Sequence, residues 1–153
     1  AKPSWGMLEM IMSRLISASP SAPRILPDMP GSSGMPVMVT RACERSIETN
    51  KMGLVAKASA SAGAAARGVK IAGNIVLMVF RNDYAVRMLA ASVPAGIEAP
   101  IRIYVTEDAD GKVSVTYRMP SAVFAPYGNP QLDAMARELD PVFDQIVREA
   151  VAS

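Results

Sequence analysis

The sequence predicts an α+β fold: a small antiparallel sheet covered by a long, kinked C-terminal helix, with an extended N-terminal arm. Three observations predict it. Within 95–119, Ile101, Ile103 and Val105 alternate with Arg102, Tyr104 and Thr106, and Val113, Val115 and Tyr117 alternate with Ser114, Thr116 and Arg118. Alternation of this kind puts one set of side chains in a core and the other near water, the mark of a half-buried strand. Between the two runs Asp108, Ala109, Asp110 and Gly111 supply turn chemistry, with Gly111 free to take a positive φ. Near the C-terminus Leu132, Met135, Leu139, Val142, Phe143, Ile146, Val147 and Ala150 recur at the i, i+3, i+4, i+7 spacing of a helix packed on a core. A sheet with one apolar face needs a cover, and this helix provides it.

The chain of 153 residues suits one domain with an appendage, 1–36 forming an arm and 37–153 the domain. Half the residues are apolar but only 5% aromatic, so the core has to be aliphatic and rich in its 11 methionines. The net charge of +2 is unevenly spread: 1–74 holds nine Lys and Arg against four acids, and 75–153 seven against ten. The excess favours an interaction surface in the first half. It is too dilute for a nucleic-acid partner, and no basic stripe is interleaved with aromatics.

In order, 4–16 reads as a short helix with Ser4 at its N-cap and Trp5, Leu8, Met12 and Ile16 on one face, widened by Met7, Ile11 and Leu15. So short and apolar a helix is not stable alone in water. Residues 17–36 hold five prolines with Ser and Gly, an extended tether on which Ile25, Leu26 and Met29 are candidate anchors. The expectation is that Trp5, Leu8, Ile11, Met12, Leu15, Ile25, Leu26 and Met29 bind a partner: another protein subunit of a larger complex, or a membrane interface.

The domain is expected to open with a short strand at 37–40, followed by one or two helical turns over 41–51. A strand at 53–60 and a small helix at 62–67, stopped by Gly68, come next. Residues 74–80, a continuous apolar run of seven, suit a central strand buried on both sides. Asn82 or Asp83 then caps a helix to about Ala91, with Tyr84, Met88 and Leu89 as apolar positions. Pro94, Gly96 and Pro100 hold an extended approach to the hairpin, and 119–128 is read as a loop. Asn129 and Pro130 open the last helix as N-cap and first residue. Pro141 lies inside it at a cost of about 3 kcal/mol for a regular helix interior, so a kink or break is expected, with Asp140 as a fresh cap.

Taken together, Phe80-Arg81-Asn82 ending the apolar strand, Met88 in the following helix, the run from Ala95 to Ile101, the Asp110-Gly111-Lys112 hairpin, and Tyr117 followed by Pro120 resemble domain-of-unknown-function family 302 over 53–150. The resemblance implies a compact α+β domain with an antiparallel sheet, often a homodimer, and no established enzymatic activity. Two features depart from it. Ser59-Ala60 stands where members often carry Asp-His, and the first helix is short, either truncated or missing residues around Ser46 to Lys51.

Cys43 is the lone cysteine and there is no histidine, which excludes an internal disulfide, a zinc-type cluster and His-dependent nucleophilic catalysis. The glycines follow no phosphate-binding pattern. Methionine clusters such as Met7, Met10 and Met12 suit soft-metal ligation, but Met more commonly fills irregular packing. Glu107, Asp108 and Asp110 read as a solvated acidic turn, and no cofactor is expected. The reading is therefore a non-catalytic accessory or scaffold subunit, docked by its arm onto a larger, membrane-associated complex. The alternative is a homodimeric carrier of haem or a small apolar ligand: without His, haem falls to Met, Cys or Tyr, and Met88 from each subunit could meet across a two-fold axis. No stretch approaches the roughly 20 apolar residues that cross a bilayer. The start at Ala1 fits signal cleavage and a bacterial periplasmic or membrane-associated setting, or simple Met removal and a cytoplasmic one.

Overall fold

The computed structural model describes residues 34–152. The helix expected over 4–16 and the tether up to residue 33 lie outside them.

A helix α1, Met35–Thr49, opens the domain where a strand at 37–40 was expected. Val37, Val39 and Thr40 are β-branched and read as strand in a four-residue window. Over the longer window Val39, Thr40, Ala42, Cys43, Ser46 and Ile47 fall on one buried helical face, and Pro36 sits in the first turn, where its missing N–H costs nothing. The Thr40 hydroxyl donates to the Pro36 carbonyl at 2.6 Å. The helix closes at its C-terminal end: Asn50 N–H bonds to the Ser46 carbonyl at 3.0 Å, and Met52 N–H to that of Ile47 at 3.0 Å. Lys51 turns the chain at φ 59°.

Strand β1, Gly53–Ser59, and a short helix α2, Ala60–Ala65, follow as the sequence predicts, with the Ser59 hydroxyl accepting from Ala62 N–H at 3.1 Å. Gly68 ends this segment at φ +73°. Strand β2, Asn74–Phe80, leads into α3, Asn82–Ala91, which begins one residue after Arg81 with no side-chain cap. The approach to the hairpin is not extended. Pro94–Glu98 forms a 3-10 turn and the Ala99–Pro100 peptide is cis.

Strands β3, Ile101–Glu107, and β4, Val113–Tyr117, form the predicted hairpin. Asp108 organises its turn: one carboxylate oxygen accepts from Asp110 N–H at 2.9 Å and Lys112 N–H at 3.0 Å, while Gly111 takes φ 78°. The stretch read as a loop contains a helical turn α4, Pro120–Phe124, and a 3-10 turn, Ala125–Tyr127. Val123 and Phe124 are buried there, and burial of these two side chains folds the segment onto the domain.

The last helix, α5, is Pro130–Ala152. Asn129 caps it as predicted, its Oδ1 accepting from Gln131 and Leu132 N–H at 3.0 and 3.1 Å. The helix runs through Pro141 without a break. Asp140 starts no new helix; its carboxylate accepts from Ser121 N–H at 2.9 Å and so caps α4. Leu139, Phe143, Ile146 and Val147, buried on both sides of the proline, hold the helix together across the lost hydrogen bond.

The four strands form one antiparallel sheet in the order β1-β2-β3-β4. Its covered face presents Ile75, Leu77, Val79, Ile101, Ile103, Val105, Val113, Val115 and Tyr117 to α1 and α5 in one continuous core. Tyr117 stacks on Phe143 with ring centroids 6.0 Å apart. The α1–α5 contact is polar at one point: Glu149 Oε2 accepts from the Ser46 hydroxyl at 2.8 Å and from Asn50 Nδ2 at 2.9 Å. Strand β1 is an edge, exposed over most of its length, and its pairing to β2 shifts register between Leu54 and Ala56.

Candidate functional site

Met88, the residue singled out for a cofactor, is 4% exposed on the inner side of α3. It lines an apolar crevice with Met52, Met135, Phe80, Tyr84, Ile101, Phe124 and Phe143. The crevice is small, with a cavity of about 30 Å³ among these side chains. At the rim Arg81 lies 4.3 Å from the Tyr84 ring centroid and pairs with Asp83 at 2.7 Å. The Arg81 guanidinium holds the Asp83 carboxyl below the usual carboxylate range.

Cys43 is buried in α1, where burial first and the neighbouring Glu44 second push its thiol up to about 12. A thiol so placed stays protonated and is a poor nucleophile. Tyr117 is raised too, by burial and then by Asp144 and Asp140. It faces the core, while Arg102 and Tyr104 sit on the opposite side of the sheet. These three side chains do not converge on one cleft. The hairpin carboxylates are engaged in backbone contacts: Glu107 Oε2 accepts from Gly73 N–H at 2.9 Å, and Asp108 organises the turn. Among the described residues no group of three or more His, Cys, Asp or Glu is placed to hold a metal ion.

Two surfaces stand out. The first is the open face of the sheet. Pairing places Ala56 beside Met78, Ala58 beside Val76, Val76 beside Tyr104, and Tyr104 beside Thr116. Val76, Met78 and Phe80 are half-buried rather than enclosed, which differs from the two-sided burial expected of 74–80. Asn74 Nδ2 donates to the Tyr104 hydroxyl at one end of this face. The second surface is an aliphatic ridge along the outer side of α3 and the following 3-10 turn. It comprises Val86, 60% exposed, Leu89, 46%, Val93, 72%, and Ile97, 81%. Of the apolar positions read on this helix, Met88 lies inward with Ala85, while Leu89 lies on the exposed side. Spacing could have found the ridge: Val86, Leu89 and Val93 follow i, i+3, i+7 on the side away from Ala85 and Met88.

Trp5, Leu8, Ile11, Met12, Leu15, Ile25, Leu26 and Met29 lie outside the described residues. The structure does show where the arm joins. Pro36 sits against Gly73, so closely that a Cβ on Gly73 would stand 2.6 Å from two of its ring carbons. The arm therefore leaves the domain at the Asn74 end of the sheet.

Fold and surfaces together define a class: a compact α+β domain with an antiparallel sheet covered by helices on one face. Residues 35–150 match the family model for the domain of unknown function DUF302, and the chain belongs to that family. The match begins at the first residue of α1, ahead of the 53–150 that the sequence resemblance covered. Among solved structures, the chain is similar to the crystal structure of an uncharacterized conserved DUF302 protein from Bacillus stearothermophilus, with 18% sequence identity and a TM-score of 0.66. That likeness covers 84% of this chain and 96% of the other, and at this identity it shows the fold. No curated protein matches the chain.

Proposed function

We propose that this protein is a non-catalytic accessory subunit, docked by its N-terminal arm onto a larger complex at or near a membrane. The observation that carries the reading is the self-sufficiency of the domain. The core cluster of the described residues runs from Val39 to Val151 and takes in β2, β3 and β4 with α1, α3, α4 and α5. Among the described residues no buried side-chain polar atom lacks a hydrogen bond. A core complete in this way makes no demand on Trp5, Leu8, Ile11, Met12 or Leu15, so the apolar arm serves contacts beyond that core.

The ridge of Val86, Leu89, Val93 and Ile97 supports the same reading, because contiguous exposed aliphatic surface of this kind marks interaction sites. Among the described residues no helix is long and apolar enough to cross a membrane, so membrane proximity in this reading comes through the partner or through the arm lying in an interface. A homodimer is compatible with it, the ridge being one surface that a second copy could share.

The test is a chain beginning at Met35. It should melt as cooperatively as the full protein while failing to co-purify with the partner that the full protein retains. Retained association of the shortened chain would refute docking by the arm.

A further inference from the structure

We propose that the crevice under α3 is a site for a soft monovalent metal ion, copper(I), bound by the thioether sulfurs of Met52, Met88 and Met135. These three come from separate parts of the fold. Met52 ends the turn between α1 and β1, Met88 lies on the inner side of α3, and Met135 lies in the second turn of α5. All three are buried, and all three line the same cavity. Their spacing in the sequence gives no hint of the set, because only the packing of α3 on α5 brings them together.

Two features separate this arrangement from ordinary packing. The first is the space itself. Methionine is the side chain that adapts to fill irregular gaps, and close-packed interiors keep few voids larger than a water molecule. Here three methionines surround a cavity of about 30 Å³, more than the roughly 10–15 Å³ that one water-sized particle needs. The second is the donor set. The rest of the wall is largely carbon, from Val79, Ile101, Phe124, Leu139 and Phe143, and the chain has no histidine. Thioethers without nitrogen or carboxylate donors select copper(I) over hard cations such as magnesium or calcium. A single positive charge also suits an apolar wall, since a monovalent ion costs far less to desolvate than a divalent one. The mouth does not oppose entry: Arg81 is the one charged residue of the wall, and Asp83 neutralises it at 2.7 Å.

The probe is copper(I) alone, titrated anaerobically into the full-length protein against bicinchoninate, a chelator whose copper(I) complex is coloured. The protein should withdraw one equivalent. Leu in place of Met keeps the volume of the core, so the ligand variants should stay folded. Met88→Leu and Met135→Leu should each weaken binding by more than about tenfold, the least that losing even a hydrogen-bond partner of a ligand costs. Met52→Leu stands in for either variant that does not fold. Met78→Leu, on the other face of the sheet, should bind as wild type does, and so should a chain carrying Met7→Leu, Met10→Leu and Met12→Leu together. Silver(I), a soft ion without copper's redox chemistry, should raise the melting temperature of the wild type and not that of Met88→Leu. The proposal is overturned if no copper is withdrawn, or if Met88→Leu and Met135→Leu withdraw it as the wild type does. An equal loss in Met78→Leu or in the triple variant overturns it too, as does an equal silver-induced shift in wild type and Met88→Leu.

Discussion

The two faces of the sheet are built from the same strands, and in β2 from residues that alternate one by one, yet they end differently. On the covered face Ile75, Leu77 and Val79 vanish beneath α1 and α5; on the open face Val76, Met78 and Phe80 keep part of their surface. The residue types are nearly the same on both sides. What differs is what lies above them, so apolar character in a strand reports a demand for cover without saying which element meets it.

The sharpest test sets two neighbours against each other. Leu77→Ala should cost about 2–5 kcal/mol, because it opens a cavity in a closed core. Met78→Ala, one residue on, should cost about 1 kcal/mol, the loss of a partly covered side chain. Thermal or denaturant melting of the two variants measures the contrast, and equal losses would erase the distinction between the faces.

A smaller effect probes where the arm joins. Gly73→Ala places a Cβ 2.6 Å from the Pro36 ring, which is too stiff to step aside, so the first turn of α1 has to move. Overpacking of that order costs about 1–3 kcal/mol. A melt indistinguishable from wild type would mean that the helix start shifts freely.

The smallest effect lies in the polar clasp of the covering layer. Hydrogen bonds from Gln145, then Ser46, hold the Glu149 carboxyl below its ordinary value of 4.5. A carboxylate whose folded pKa is depressed stabilises the fold above its unfolded pKa, and that contribution fades as pH falls through the folded value. The wild-type protein should therefore lose more stability than Glu149→Gln on acidification from neutrality to below pH 4.5. Parallel acid profiles for the two would remove Glu149 from the α1–α5 contact.

These contrasts bear on what was legible in the residues. The hairpin at 101–117, the β2 strand, Gly111, the Asn129 cap and the inward face of α5 follow from period and turn chemistry, both local signals. What misled was also local. A four-residue β-branched window at 37–40 hid a helix whose burial pattern appears only over fifteen residues. Pro141 suggested a kink or break, and the break does not occur, because burial on both sides of the proline outweighs one lost hydrogen bond. The ridge and the open face were not read, since exposure of an apolar residue is a tertiary fact: Leu89 and Met88 are adjacent in sequence and differ only in which side of α3 they occupy.

The register shift in β1 has a consequence of its own. An edge strand exposed over most of its length is a template onto which another chain's strand can add, the first step of ribbon and fibre growth. At Val55 the ladder slips, so the rim is bent there and cannot offer an unbroken row of donors and acceptors. Two residues further on, Lys57 puts a charge on the same rim, paired to Glu44 of α1 at 2.9 Å. A protein with exposed aliphatic surface elsewhere thereby carries a guard against polymerising along its own margin.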